Sequence, residues 1–163
     1  MQVSQISEIN EKKRAYIEEF SIVFEGFGVP RMAGRVLAAL LTAEPAEQTA
    51  EELAEQLQAS RGGISGAVQL LEQFQLIERT RKPGDRRDYF RNKPNAIYEA
   101  MKKQMMMTTR LSALIDSGFD LIDSGDEVSK GLKDMKAYVD FIKVELPQMF
   151  ERFEASLEQK ETA

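Results

Sequence analysis

Between residues 79 and 93 the chain places seven cations, Arg79, Arg81, Lys82, Arg86, Arg87, Arg91 and Lys93, against only Asp85 and Asp88. That segment carries a net +5 in a chain whose total is −5, so the remaining residues sum to −10. Like charges held this close repel one another unless something neutralises them. The pattern points to a polyanion at one face, with a solubilising surface loop as the plain alternative. Lys and Arg bind phosphate oxygens, and the counterions they release from a nucleic acid make such binding salt-dependent.

A second set of candidate groups lies just upstream. Arg61, Ser65, Gln69 and Gln73 fall on one side of a helix whose other side holds Ile64, Val68 and Leu71, because residues three and four apart share a face. Arg binds guanine in a bidentate manner and Gln does so with adenine. Arg61, Gln69 and Gln73 are therefore candidate base readers, and Ser65 suits either base or backbone. An ordinary solvated helix face is the alternative for each. Gly62, Gly63 and Gly66 need a reason, since glycine inside a helix costs up to ~1 kcal/mol relative to alanine. If Ser60 is the N-cap, Gly62 and Gly63 lie where unpaired N–H groups and the helix dipole attract an anion. Close packing against a neighbouring helix competes with that account, and for Gly66 the two readings stand level.

These groups need elements to hold them. Thr49 followed by Glu52 forms a capping box that starts one helix, with Leu53, Ala54 and Leu57 on its inner face. Gln58, Ala59 and Ser60 make a tight turn into the helix of candidate readers. Leu76 and Ile77 lead into a hairpin that reverses at Pro83-Gly84-Asp85, where Pro presets φ, Gly supplies φ > 0 and Asp bonds its own backbone. Upstream, Ile6, Ile9, Tyr16, Phe20, Val23 or Phe24, and Phe27 form the apolar stripe of a helix ending near residues 26–30. The next helix is predicted from Pro30 to Ala43 with Met32, Val36, Leu37, Leu40 and Leu41 buried. After Pro94 a helix runs from about Asn95 to Ser117, followed by a loose stretch. Leu132, Met135, Val139, Ile142, Leu146, Met149, Phe153 and Leu157 then recur at intervals of three and four. That heptad-like seam, with Tyr16 and Phe20 of the first helix, predicts a symmetric dimer. Packing within one chain is the alternative, and Pro147 counts for it because an interior proline kinks or splits a helix.

Composition narrows the function. A chain of 163 residues hides roughly 70% of its unfolded surface, enough for one domain without metal or disulfide. Cysteine and histidine are both absent, which removes Cys/His zinc sites, thiol chemistry and His-based acid–base catalysis. No catalytic constellation, metal site or cofactor motif stands out, so an enzyme is not expected. No apolar run approaches the ~18 residues of a membrane span, and residues 1–25 are too charged for a signal peptide. A cytoplasmic protein is expected.

The segments FGVPRMAGRVLAALL, TAEELAEQLQASRGGISGAVQLLEQFQLIER and GDRRDYFR, within residues 26–91, resemble the winged helix-turn-helix of MarR-type transcription regulators, and more closely the GbsR-like branch. The resemblance implies a mainly α fold with a small β-hairpin wing, flanked by N- and C-terminal dimerisation helices. Residues 1–28 would form the first dimerisation helix, 29–93 the DNA-binding domain, and 94–163 the linker and C-terminal dimerisation helices. It also implies a homodimer on an inverted-repeat operator in double-stranded DNA, with the helix from Ser60 in the major groove and the wing in the adjacent minor groove. Arg81 and Lys82 belong to that wing, and Asp85, Arg86 and Arg87 map onto the residues that hold and present its tip. Repression by occupying the operator is the expected role, and a protein adaptor that binds no DNA is the alternative. Relatives place an effector pocket near the helix carrying Met101, Met105, Met106 and Met107, so Phe24, Met101, Met105 and Phe119 are candidate small-molecule contacts. Core packing is the competing role for those methionines. The GbsR-like likeness implies choline-type ligands, for which Tyr16, Phe20, Phe24, Phe119, Tyr138 and Phe141 supply rings for an aromatic cage.

Overall fold

The computed structural model describes residues 2–122 and 126–161, with side-chain surroundings for 8–103, 105, 107–122 and 129–157. The expected contributions of Ile6 and Met106 lie outside the described residues. In chain order the elements are α1 (Gln2–Gly26), α2 (Arg31–Leu41), β1 (Gln48–Thr49), α3 (Ala50–Leu57), α4 (Arg61–Gln73), β2 (Ile77–Thr80), β3 (Tyr89–Asn92), α5 (Ala96–Phe119) and α6 (Asp126–Glu161). They divide into two compact units, Met1–Ile97 and Tyr98–Ala163. The mainly helical fold with a small sheet is the one expected. No described helix is long and apolar enough to cross a membrane.

In the first unit α2 is the strut. Ala33, Gly34 and Val36 to Leu40 are all buried, and α1, α3, α4 and β3 pack around them. This helix ends at Leu41, itself exposed, rather than at Ala43. The inner face of α1 is not the aromatic stripe. Ile9, Tyr16, Val23 and Phe27 are exposed, and Ile17 and Ser21 face the core instead. The reason sits on α2, where a Cβ added to Gly34 would come within 2.9 Å of the Ser21 Cα. Only a missing side chain lets the two helices approach so closely, and a small residue must stand opposite. Through this contact α1 packs on α2 within the first unit.

The helix starts follow the sequence chemistry. Thr49 Oγ1 accepts from Glu52 N–H at 3.2 Å while Glu52 Oε2 accepts from Thr49 N–H at 2.7 Å, so two orphan donors are satisfied reciprocally. The backbone hydrogen bond from Thr49 holds the Glu52 carboxyl below its ordinary range. A depressed carboxylate stabilises above its unfolded pKa and stops doing so as pH falls through the folded one. This contribution is therefore full above about pH 4.3 and fades below it. Thr49→Ala is expected to cost about 1 kcal/mol in urea unfolding at pH 7, and less at pH 3. At the turn, Gln58 adopts the left-handed conformation (φ 50°, ψ 46°), and Ser60 Oγ accepts from Gly63 N–H at 3.1 Å.

The hairpin pairs Ile77 with Asn92 and Thr80 with Tyr89, antiparallel. Its turn has Asp85 N–H donating to Lys82 O at 3.1 Å, with Gly84 at φ +80°. Proline at the first central position and glycine at the second make this a type II turn. A third strand was not foreseen. Gln48 and Thr49 pair with Phe90 and Tyr89, giving the order β1-β3-β2.

In the second unit α5 and α6 run antiparallel. Lys136 Nζ lies 3.0 Å from both Asp116 and Asp140 carboxylates, and it donates to Ser112 Oγ at 3.0 Å. Tyr98 packs edge-on against Phe150 and hydrogen-bonds Glu154, which also pairs with Lys102. The heptad-like residues divide between two faces. Val139 is buried within the chain, as is Phe150, which stands outside the expected series, while Leu132, Ile142 and Leu146 are half-buried, with Leu132 beside Gly118 of α5. That part of the expected seam is at least partly covered within this chain. Met135, Met149 and Phe153 stay exposed, as do Tyr138, Phe141 and Val144. Pro147 is taken into a continuous α6 rather than splitting it.

Candidate nucleic-acid interface

Ile64, Ala67, Val68 and Leu71 anchor α4 to the core, which leaves Arg61, Ser65, Gln69 and Gln73 exposed on its outer face. Among the described residues none of these four has an ion pair or side-chain hydrogen bond. A cleft of about 290 Å³ between α4 and the hairpin is lined by Ser65, Gln69, Arg79 and Arg87. The two candidate groups thus share one surface.

Arg79 fixes the angle between them. Its Nε and Nη2 donate to the two carboxylate oxygens of Glu72 on α4, at 3.0 and 2.8 Å, and Nη1 reaches Asp88 at 3.0 Å. The bond to Glu72 is the main reason the Arg79 pKa rises. Arg81 pairs with Asp88, Lys82 with Glu47, and Arg91 with Glu78 and Glu47. At the tip, Arg87 makes a forked pair with Asp85, whose Oδ2 also accepts from Tyr89 Oη at 2.8 Å. The Arg87 guanidinium, then Tyr89, hold the Asp85 carboxyl far below the usual carboxylate range. Asp85 therefore remains an anion at any working pH and keeps Arg87 in one direction.

This corrects the electrostatic expectation. Arg79, Arg81, Lys82, Arg87 and Arg91 are neutralised by the chain's own carboxylates. Glu47, Glu72 and Glu78 lie outside the cationic window and could not be placed from its composition. Arg86 and Lys93 have no ion pair among the described residues. Arg86, exposed beside the Gly84 turn, is the uncommitted charge of the tip. The paired arginines are still open to water, Arg81 being 73% exposed, so each retains donors for a further anion.

The glycines separate the readings left open by sequence. A Cβ at Gly62 or Gly66 would meet nothing within 4 Å, and one at Gly63 would touch only Ser60 Oγ at 3.3 Å. Packing against a neighbouring helix explains none of them. They lower the profile of the outer face of α4 beside Arg61 and Ser65.

A family model described as MarR family matches residues 27–88, which span α2 to the hairpin loop. Another, described as an MmpR5-like MarR family transcriptional regulator, matches residues 95–156, which span α5 and most of α6. The HTH-type transcriptional regulator MmpR5 of Mycobacterium tuberculosis is 38% identical over 122 residues, 74% of each chain. The chain belongs to the MarR family of transcriptional regulators. A crystal structure of a transcriptional regulator, 33% identical, superposes with a TM-score of 0.74 over 88% of this chain and 99% of that one.

In this MarR-family chain the expected effector residues divide between the two units, Phe24 in the first and Met101, Met105 and Phe119 in the second. Phe24 stacks on Phe20 at 4.4 Å between centroids, in a ladder from Tyr16 to Phe27 along one helix. Within the second unit Met101 is exposed and Met105 and Phe119 are half-buried. The cleft on α5 is lined by Met107, Thr108, Arg110, Leu111 and Leu114, residues that exclude Met101, Met105 and Phe119. Within the second unit Tyr138 and Phe141 are exposed.

Proposed function

We propose that this MarR-family regulator binds duplex DNA as a homodimer on an inverted repeat, with α4 in the major groove and the 81–88 loop at the neighbouring minor groove, and that it represses by occupying the operator. The observation that carries the reading is the unpartnered row Arg61, Ser65, Gln69 and Gln73, set in one surface with the hairpin tip and uncommitted Arg86. Phosphate contacts position such a protein and base-edge contacts select its sequence. Bare backbone at Gly62 and Gly66 lets α4 lie closer to the duplex than a full side chain would permit.

Dimerisation uses the apolar faces left open in each unit. Tyr16 and Val23 on α1 with Phe27 just past its end, and Met135, Tyr138 and Phe141 on α6, expose more apolar surface than isolated surface residues need. In this reading residues 1–28 and 94–163 carry the dimer contacts and 29–93 the DNA contacts. A cytoplasmic location follows for a protein that must reach the chromosome. A small-molecule effector acts by its differential affinity for two spacings of the reading heads. Placement in the GbsR-like branch, and with it a choline-type effector, rests on the sequence resemblance alone.

Fluorescence anisotropy against the DNA upstream of its own coding region tests the reading. Binding is expected to favour an inverted repeat, and log K is expected to fall with log salt in proportion to the phosphates neutralised, about 0.9 per contact. Affinity that ignores salt and symmetry would instead indicate a protein adaptor. Gly66→Ala gives a second check. It is expected to raise stability by up to about 1 kcal/mol while weakening operator binding; equal or tighter binding would refute close backbone approach.

A further inference from the structure

We propose that Arg35 is a positioning residue that sets the angle at which α1 leaves the DNA-reading unit, and through it the half-site spacing the dimer accepts. The inference rests on the homodimer reading above and concerns a part of the chain that touches no DNA in it.

One guanidinium joins three helices. Arg35 lies on α2, and its Nη2 donates to Leu57 O at 3.0 Å, in the last turn of α3. The next residue is left-handed Gln58, which begins the turn into α4. Its Nε lies 2.8 Å from Glu18 Oε1 on α1, and the other Glu18 oxygen accepts from Arg31 Nη2 at 3.1 Å. The direction of α1 and the end of α3 are thus referred to a single side chain.

The surroundings make this contact an angular control rather than a general brace. One turn along α1, Ser21 rests directly on Gly34, a contact tight enough to act as a pivot. Beyond Glu18, α1 stands off from α3 across a cleft of about 440 Å³ lined by Asn10, Arg14, Glu55 and Gln58. Past the tether, Ile17 is still buried against the unit and Lys13 Nζ donates to Thr42 O at 2.6 Å. Pivot, tether and free space together define a lever. From Ser21 to Asn10 the helix extends roughly 16 Å, so a turn of about 10° at the pivot moves its far end by about 3 Å.

The tether is also easy to release. The Arg35 Nε is buried, yet no acceptor is aligned with its hydrogen despite the short distance to Glu18. The pair is held by charge more than by a directed hydrogen bond. Removing the charge on Glu18 frees α1 while leaving the bond from Arg35 to Leu57 O in place.

The test combines spacing with distance. Operators whose half-sites are moved apart by two base pairs turn one half-site by about 70° relative to the other, and the parent protein is expected to lose at least about tenfold in affinity on them. Glu18→Gln, and separately Arg35→Lys, are expected to reduce that penalty to about threefold or less while affinity for a single half-site stays the same. An unchanged spacing penalty in both variants overturns the proposal. The absence of cysteine allows a second, DNA-free readout with spin labels on Asn10→Cys and Glu55→Cys, diluted with unlabelled protein. Glu18→Gln is expected to broaden the label-to-label distance distribution, and an identical distribution also overturns the tether. If the parent binds no duplex at all, the function reading fails, whereas the spin-label distances still decide the tether.

Discussion

Replacing Arg61 and Arg86 together by alanine is expected to lower affinity for an inverted-repeat duplex by at least about a hundredfold at moderate salt, since in the proposed reading each protomer loses two charged contacts worth about 1.5–3 kcal/mol apiece. These two are the informative choices because neither holds any other part of the chain. Arg79, Arg81 and Arg87 have structural partners, so their removal would mix a lost DNA contact with a loosened hairpin. The single variants then separate the roles. Arg86→Ala is expected to weaken all duplexes alike and make the salt slope shallower by about 0.9 per protomer. If Arg61 reads a guanine, Arg61→Ala relaxes preference at one base pair of each half-site by about 1–3 kcal/mol and leaves the slope nearly unchanged. Anisotropy titrations at three salt concentrations would measure both. A double variant that binds like the parent would remove α4 and the hairpin tip from the interface.

Leu37→Ala is expected to destabilise the chain by about 2–5 kcal/mol, a large part of the 5–15 kcal/mol by which folded proteins are ordinarily stable. Leu37 is only 1% exposed, in the middle of the helix on which α1, α3, α4 and β3 pack, so the space left cannot be filled from one side without disturbing another. The control is four residues on. Leu41 is 41% exposed, and Leu41→Ala is expected to change stability by no more than about 0.5 kcal/mol. With no tryptophan in the chain, urea unfolding is best followed by helix circular dichroism. A Leu37→Ala cost below about 1 kcal/mol would mean that α2 is not the centre of the core.

The local features proved the most legible. The Thr49–Glu52 box, the Ser60 cap and the proline–glycine turn rest on contacts within four residues, and the buried side of α4 on a local apolar period, all of which spacing and side-chain chemistry specify. What depended on distant partners was harder. β1 is two residues long and exists only because Gln48 and Thr49 meet Phe90 and Tyr89, so no local period announces it. Glu47 reaches Thr80, Lys82 and Arg91 from more than thirty positions upstream, and the cationic segment looked unbalanced for want of it. Apolar periodicity on α6 marked a face without saying whose surface covers it, and α5 of the same chain takes Val139. On α1 the conspicuous aromatics drew the eye, whereas the inner face was set by Ser21, a residue whose merit is that it is small enough for Gly34.

The forked bond between Arg79 and Glu72 has a practical consequence for anyone redesigning operator preference. It welds the rod proposed to read sequence to the ribbon beside it, so the two are one instrument, not separable modules. A graft that exchanges residues 61–73 but drops the carboxylate at position 72, or that trades Arg79 for lysine, keeps every group proposed to face the bases yet forfeits the planar two-point grip that lysine cannot reproduce. Transplants should carry both members or neither.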